Sequence, residues 1–582
     1  GVQMFYQMAI SAPLAMLVIF LAMWWFFRHV RLITSAMIVA MVAAASTMAL
    51  LVISGSTVHI MSSMIPVFIM PIAVLDAVHI LSEFFDRYPL HRDRHRAIRE
   101  VMGILFKPML FTTLTTMAGF ASLALTPIPP VQVFGIFIAI GVFLAWLCTV
   151  TFIPAYIMLM PERRLTGFGH AAGDPDQDTV MGRWLRRLGE GVVSHARAVL
   201  VVTMVVVVAA GYGISLIRIN DNPVKWFEPE HPIRVADRVL NEHFGGTYMA
   251  YLALVPEGDN AAQDNQIFKR PEVLRYIARL QQRLGETGVV GKSNSVADLV
   301  KTVHRELLGG DDGAFRIPDS PAAVAQTLLT YQNGHRPQDL WHFVTPDYRR
   351  ASIWVQLTSG DNRDMSRVVQ ALDDFIAANP PPASIQARWF GLNYINVVWQ
   401  EKMVSGMAMA LFGSFVVVLL LMALLFRSLL WGLLCMIPLT VTIGAIYGLI
   451  GIIGKNYDMP VAVLSALSLG LAVDYAIHFL ARARATQAET GSWRRSVAPM
   501  FGEPARAITR NAIVLGVGFL PLLAAPLVPY QTVGVFIAAI LLTAGLSTLL
   551  ILPALVTLLQ RWLFPGARRA APNPQNQEEG VQ

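Results

Sequence analysis

Val473-Asp474-Tyr475-Ala476-Ile477-His478 lies inside a long apolar run, and Leu75-Asp76-Ala77-Val78-His79 lies inside another at the corresponding place, 399 positions earlier. The offset is not local. Adding 399 to His79, Gly103, Gly119, Phe120, Pro127, Gln132, Gly135, Phe137 and Pro154 returns His478, Gly502, Gly518, Phe519, Pro526, Gln531, Gly534, Phe536 and Pro553. Residues 71–160 thus read twice without a gap, each time with an acid and a histidine in an apolar helix. A charge at the centre of a bilayer costs about 2.5–3.5 kcal/mol on insertion scales, so ionisable residues there point to function. Transporters are commonly built from such repeats.

Outward from these two segments the chain remains apolar: 55% of its 582 residues are hydrophobic and 14% charged, with a mean hydropathy of +0.53. That excludes an ordinary soluble protein. Runs long enough to cross about 30 Å of hydrocarbon fall at 6–27, 33–53, 60–82, 105–126, 132–158, 197–217, 405–426, 430–453, 459–481, 506–526 and 532–560. Arginines gather in alternate connections: Arg28 and Arg31; Arg87, Arg92, Arg94, Arg96 and Arg99 with Lys107; Arg163, Arg164, Arg183, Arg186 and Arg187; Arg427; and Arg482, Arg484, Arg494, Arg495, Arg506 and Arg510. The turns 54–57, 126–131 and 525–531 carry none. The positive-inside rule makes the basic loops cytoplasmic and the polar stretch 218–402 periplasmic, in a bacterial inner membrane. The net charge of +7 is then a topology signal, and no nucleic-acid partner is expected. Cys148 and Cys435 both fall in apolar spans and read as buried free thiols.

The expected fold is a polytopic α-helical membrane protein of about eleven spans in two pseudo-symmetric repeats, with an α+β ferredoxin-like periplasmic porter domain. Its parts are a first bundle at 1–160, a cytoplasmic linker at 161–196, a helix at 197–217, the porter domain at 218–402, a second bundle at 403–560 and a tail at 561–582. Within the porter domain, 271–284 and 365–378 have helical periodicity and 351–357 has strand composition. Since the second bundle is preceded by a helix and a polar domain, a matching helix and domain are expected upstream of Gly1. The stretch 285–293 (GETGVVGKS) imitates a phosphate-binding loop, but Glu286 stands where that loop needs glycine.

Asp76 and His79 are three apart and Asp474 and His478 four apart, so each pair shares a helix face. Ser468, Gly470, Ala472 and Ala476 allow another backbone to approach. Candidate neighbours are Thr112, Thr113, Thr115 and Thr116 in the first copy and Thr509, Arg510 and Asn511 in the second, which offer the partners an ionised carboxylate needs. Two readings stand: an interhelical hydrogen bond that fixes packing, or a proton relay in which protonation changes helix contacts. His79 and His478 are open to a third role, as polar caps near a helix end. Asp458 reads as a solvated turn residue, and Trp24, Trp25 and Trp146 as interfacial or packing aromatics.

The segment Gly470 to His478, the Gly518-Phe519 helix, and Gln531-Thr532-Val533-Gly534 leading to Leu552-Pro553-Ala554 together resemble the resistance-nodulation-division (RND) superfamily. The likeness is to its MMPL-type exporters, with Patched-like proteins more distant. The resemblance implies a proton-driven secondary exporter of lipids or other hydrophobic molecules, not an enzyme, without a cofactor. It places an Asp-Tyr relay at Asp474 and Tyr475, to which the reading of the residues adds His478, Asp76 and His79 as candidates; the first copy departs from the motif, with Leu75 opposite Asp474 and Asp76 opposite Tyr475. The implied partners are a hydrophobic or lipid substrate, the bilayer and protons, with a homo-oligomer or an accessory periplasmic protein also open. A lipid sensor or scaffold of the same fold is the alternative. A hydrolase lacks support, with no His-Glu-x-x-His and no Gly-x-Ser-x-Gly.

Overall fold

The computed structural model describes residues 2–161, 165, 180–257, 266–334 and 336–564. Arg163, Arg164, much of the linker and the tail from 565 onward lie outside the described residues. Eleven described helices are long and apolar enough to cross a membrane, as a backbone in hydrocarbon must satisfy its own hydrogen bonds. They are α1 (Val2–Phe27), α2 (Val30–Ile53), α3 (Ile65–His91), α4 (Arg94–Ala121), α5 (Pro129–Leu159), α6 (Ala196–Ser215), α7 (Leu392–Phe426), α8 (Leu429–Ile452), α9 (Met459–Thr490), α10 (Glu503–Phe519) and α11 (Val528–Leu563). The chain divides into two compact units, 1–218 with 402–582, and 219–401.

The repeat is visible in the backbone. Left-handed residues end helices at Arg28 and Arg427, at Gly55 and Gly454, and at Arg92 and Gly491, each pair 399 apart. Gln132 donates its side-chain amide to Thr126 O at 2.8 Å, and Gln531 to Ala525 O at 2.9 Å. A Cβ at Gly135 would lie 2.4 Å from Phe120 O, and one at Gly534 would lie 3.0 Å from Phe519 O. The recurring Gly-Phe, Gln and Gly residues therefore build one structure twice: a helix end, a 3-10 turn (Ser122–Leu125, Leu520–Ala524) and a returning helix pressed against it. The copies differ where the sequence does. First-copy α4 is continuous, whereas its counterpart breaks at Phe501-Gly502 into Trp493–Met500 and α10. Pro504 stands where the first copy has Leu105, and proline disfavours helix in the residue before it.

Several helices outrun the apolar stretches. α3 continues to His91 and α9 to Thr490, because the charged residues beyond the apolar core find partners on neighbouring helices. The basic connection expected around Arg87 to Lys107 shrinks to Arg92 and Asp93, and Arg482, Arg506 and Arg510 belong inside α9 and α10 rather than to a connection. Asp458 is not a solvated turn residue: it caps α9 by accepting from Val461 N at 3.2 Å and pairs with Lys455 at 2.8 Å. Trp24 and Trp25 are exposed on the outside of the bundle, while Trp146 packs among Phe106 and Phe143.

α3 and α9 are the central helices, with 94% and 100% of their apolar windows buried, against 11% for α6. The repeats interlock crosswise: α9 lies along α4, and α3 along α10. α6 is held chiefly by a glycine crossing. A Cβ at Gly213 would come 2.2 Å from Gly448 O, and one at Gly451 1.8 Å from Gly213 O, so α6 and α8 touch backbone to backbone as small residues permit. Gly451→Leu is expected to destabilise the protein by about 1–3 kcal/mol, because backbone cannot yield to the added atoms as a side chain could. Thermal unfolding of the detergent-solubilised variant measures this; an unchanged midpoint would contradict the crossing.

The unit 219–401 contains a four-stranded antiparallel sheet in the order β2-β3-β1-β4, from β1 (Tyr248–Pro256), β2 (Val290–Asn294), β3 (Ala351–Leu357) and β4 (Ile385–Phe390). Helix Pro271–Gly285 links β1 to β2 and helix Asn362–Ala378 links β3 to β4, which is the ferredoxin-like β-α-β-β-α-β order, with two further helices, Val296–Leu307 and Pro321–Gln332, inserted between β2 and β3. Strand residues Leu252, Ile353 and Val355 and helix residues Ile277, Leu280 and Val368 are fully or nearly fully buried in its core. The phosphate-loop imitation runs from helix into strand, the reverse of a true phosphate loop.

Candidate functional site

Where α3 and α9 pass each other, the ionisable residues form three layers. The first holds the carboxylates. Asp474 is fully buried and Asp76 nearly so. Thr113 Oγ1 donates to Asp76 Oδ2 over a long 3.5 Å; Asp76 Oδ1 and both oxygens of Asp474 have no hydrogen-bond partner among the described residues. The approach that makes this possible begins at Gly470, where a Cβ would lie 3.1 Å from Thr116 Cα, and Thr116 Oγ1 donates to Gly470 O at 2.9 Å. Thr113 and Thr116 thus reach across to other helices. Thr112, Thr115 and Thr509 do not, for their hydroxyls turn back onto Met109 O, Thr112 O and Ala505 O. Tyr475 is buried, its hydroxyl has no hydrogen-bond partner among the described residues, and its ring lies by Gly545 of α11, since adjacent helical residues do not share a face.

The second layer is an imidazole pair. His79 and His478, equivalent residues of the two copies, stack with ring centroids 3.9 Å apart and planes 19° apart. Both helices continue well past them, so neither histidine caps a helix end. His79 Nε2 bonds Asn511 Nδ2 at 2.8 Å, while His478 Nε2 is buried without a partner among the described residues.

The third layer is ionic. Glu83 Oε1 accepts from Arg87 Nε at 2.6 Å and from Arg482 Nη2 at 3.2 Å, and Arg482 also reaches Glu503 at 3.3 Å. Arg87 pairs with Glu100, which bonds His91 Nε2 at 2.6 Å. Arg510, buried, donates to Ser82 Oγ at 2.7 Å and lies over the rings of Phe27 and Phe85; Asp86 is 3.9 Å from it and 3.8 Å from Arg506. A cavity of about 620 Å³ opens among these groups, with His79 and His478 on its wall. Near the other end of α3, Tyr530 Oη is bonded to Ser63 Oγ at 3.0 Å and Ile60 O at 3.1 Å.

The residues singled out from the sequence therefore meet in one place, except that Thr112, Thr115, Thr509 and Tyr475 turn elsewhere. Glu83, Asp86 and Glu503 were not singled out, and Arg482 was read only as a topology signal. One signal was available: Glu83 and Arg482 are 399 apart, an acid and a base at the same repeat position, each four residues beyond its copy's histidine.

Residues 3–199 and 272–577 match the MMPL family. Protein MJ1562 of Methanocaldococcus jannaschii, described as a membrane protein, is 20% identical over 371 residues, 64% of this chain and 92% of that one. MmpL10 of Mycobacterium leprae, a probable transport protein, is 27% identical over 254 residues, and the aligned part spans 42% of this chain and 23% of that protein. Among solved structures, the hedgehog release protein Disp of the water bear Hypsibius dujardini superposes with a TM-score of 0.68 at 14% identity, covering 96% of this chain and 71% of that one. SecDF, a translocon-associated membrane protein of a Thermus species, gives 0.57 at 15% identity, covering 96% and 62%. These likenesses carry the RND-type fold. With the family match extending over most of its length, the chain belongs to the MMPL family.

Proposed function

We propose that the protein is a proton-driven secondary exporter of lipids or other hydrophobic or amphiphilic molecules. The carrying observation is the pair of buried, under-partnered carboxylates where the two repeats meet. An ionised carboxylate with no partner in low dielectric costs several kcal/mol, a cost that a bound proton removes. The two protonation states therefore favour different packings of α3 and α9. A proton falling through a membrane potential of 100 mV releases about 2.3 kcal/mol, enough to bias such a two-state element. The transport named for MmpL10 and the release named for Disp support movement of a cargo, and the lipid class rests on the resemblance to MMPL-type exporters. In this reading the unit 219–401 is the periplasmic porter domain and the cavity end of the bundle faces the cytoplasm.

The full chain reconstituted in proteoliposomes, with a fluorescent lipid analogue as cargo, tests the proposal. Efflux is expected to rise with an imposed pH gradient and to fall when an ionophore collapses it. Cargo binding without gradient-dependent movement would replace the exporter with a lipid sensor. Orientation is read separately, from single cysteines at Ser293 and Ser492 in spheroplasts: an impermeant reagent should label only the first, and labelling of both would overturn the topology.

A further inference from the structure

The imidazole layer stands between the cavity and the carboxylates. His478 is one helical turn from Asp474, about 6 Å along α9, and it is half-buried with one side on the cavity. The cavity wall carries four carboxylates, Glu83, Glu100, Glu489 and Glu503, against the guanidiniums of Arg87 and Arg482, a balance that concentrates cations. Between the two histidines the structure makes a distinction. His79 is tied at Nε2 to Asn511, whereas His478 Nε2 is buried and unbonded. Two imidazoliums stacked at the observed 3.9 Å would repel by about 4 kcal/mol at an effective dielectric of 20. The stack therefore holds at most one added proton.

We propose that His478 is the proton-carrying gate between the cavity and Asp474, with His79 as its fixed wall; this rests on the relay reading of the carboxylates. In transport the carboxylic acid of Asp474, protonated from the opposite side, gives its proton to the neutral ring, forming an N–H bond and leaving the carboxylate. The imidazolium then loses a proton from its cavity-facing edge to water, which leaves as hydronium, and the neutral ring returns to the stack. A drop in pH on the cavity side runs the same steps backwards and protonates Asp474. The titratable and charged groups that share the cavity wall with the carrier are His79, Glu83 and Arg87 from α3, Glu100 from α4, Arg482 and Glu489 from α9 and Glu503 from α10, with Asp474 one turn away on α9.

Infrared difference spectroscopy of the full chain in bilayers after a pH jump reads the step directly, the Asp474 carboxylic-acid band being assigned by its loss in Asp474→Asn. In His478→Ala and His478→Gln the band should rise roughly 100-fold more slowly, the scale of a lost proton-transfer group. Imidazole in the buffer should restore the rate of His478→Ala, which a merely structural role would not allow. An unchanged rate in both variants, or slowing that imidazole does not relieve, overturns the gate and leaves the relay intact. Absence of any Asp474 band in the unsubstituted protein overturns the relay, and the gate with it.

Discussion

Asp474→Asn is expected to abolish gradient-driven efflux while leaving a folded, membrane-inserted protein that still binds its cargo. The side chain keeps its size, and because neither carboxylate oxygen has a hydrogen-bond partner, no packing bond is lost on substitution. What disappears is the ability to alternate between a charged and a neutral form, and with it the coupling to about 2.3 kcal/mol per charge per 100 mV. Efflux should fall to the level of leakage from protein-free liposomes, with the thermal midpoint unchanged or raised. Tyr475→Phe is expected to act more weakly, since its hydroxyl has no partner among the described residues and its ring lies toward α11, and Asp76→Asn should remove the ability to ionise while its amide oxygen still accepts from Thr113 Oγ1. Full efflux by Asp474→Asn would leave only a packing role for the layer.

The largest loss of stability is expected from Glu83→Gln. Glu83 is buried and holds Arg87 and Arg482 together across the junction of the repeats. Removing one member of a buried ion pair strands the other and costs about 3–5 kcal/mol. The lower end of that range applies, because Glu503 still faces Arg482 and Glu100 still faces Arg87. Thermal or denaturant unfolding in detergent measures the loss. The double variant Glu83→Gln/Arg482→Gln should recover part of it, because the uncompensated guanidinium is gone. Equal stability of the single variant and the parent protein would show that the cluster is solvated in the membrane-embedded protein and not a structural lock.

Much of the architecture was legible because its causes are local or periodic. Apolar length marks each helix, and internal identity at a fixed offset marks the repeat. Gly135 and Gly534 recur because the same carbonyl lies over each, and the strand at 351–357 is readable because alternate side chains face core and surface. Helix ends were less legible: α3 and α9 pass their apolar stretches because Glu83, Asp86, Arg87 and Arg482 have partners on other helices, which hydropathy cannot count.

The sequence by itself determined the duplication, the helical membrane class and the two segments carrying aspartate and histidine, since each of these is written in composition and spacing along one chain. Only the tertiary structure decided that α9 lies against α4 and α3 against α10, that the two histidines stack on each other, that Asp474 faces no partner while Tyr475 turns to α11, and that Glu83 meets Arg482. The physical reason is that a helix face is set by position modulo one turn, whereas the neighbour it meets is set by packing between segments hundreds of residues apart.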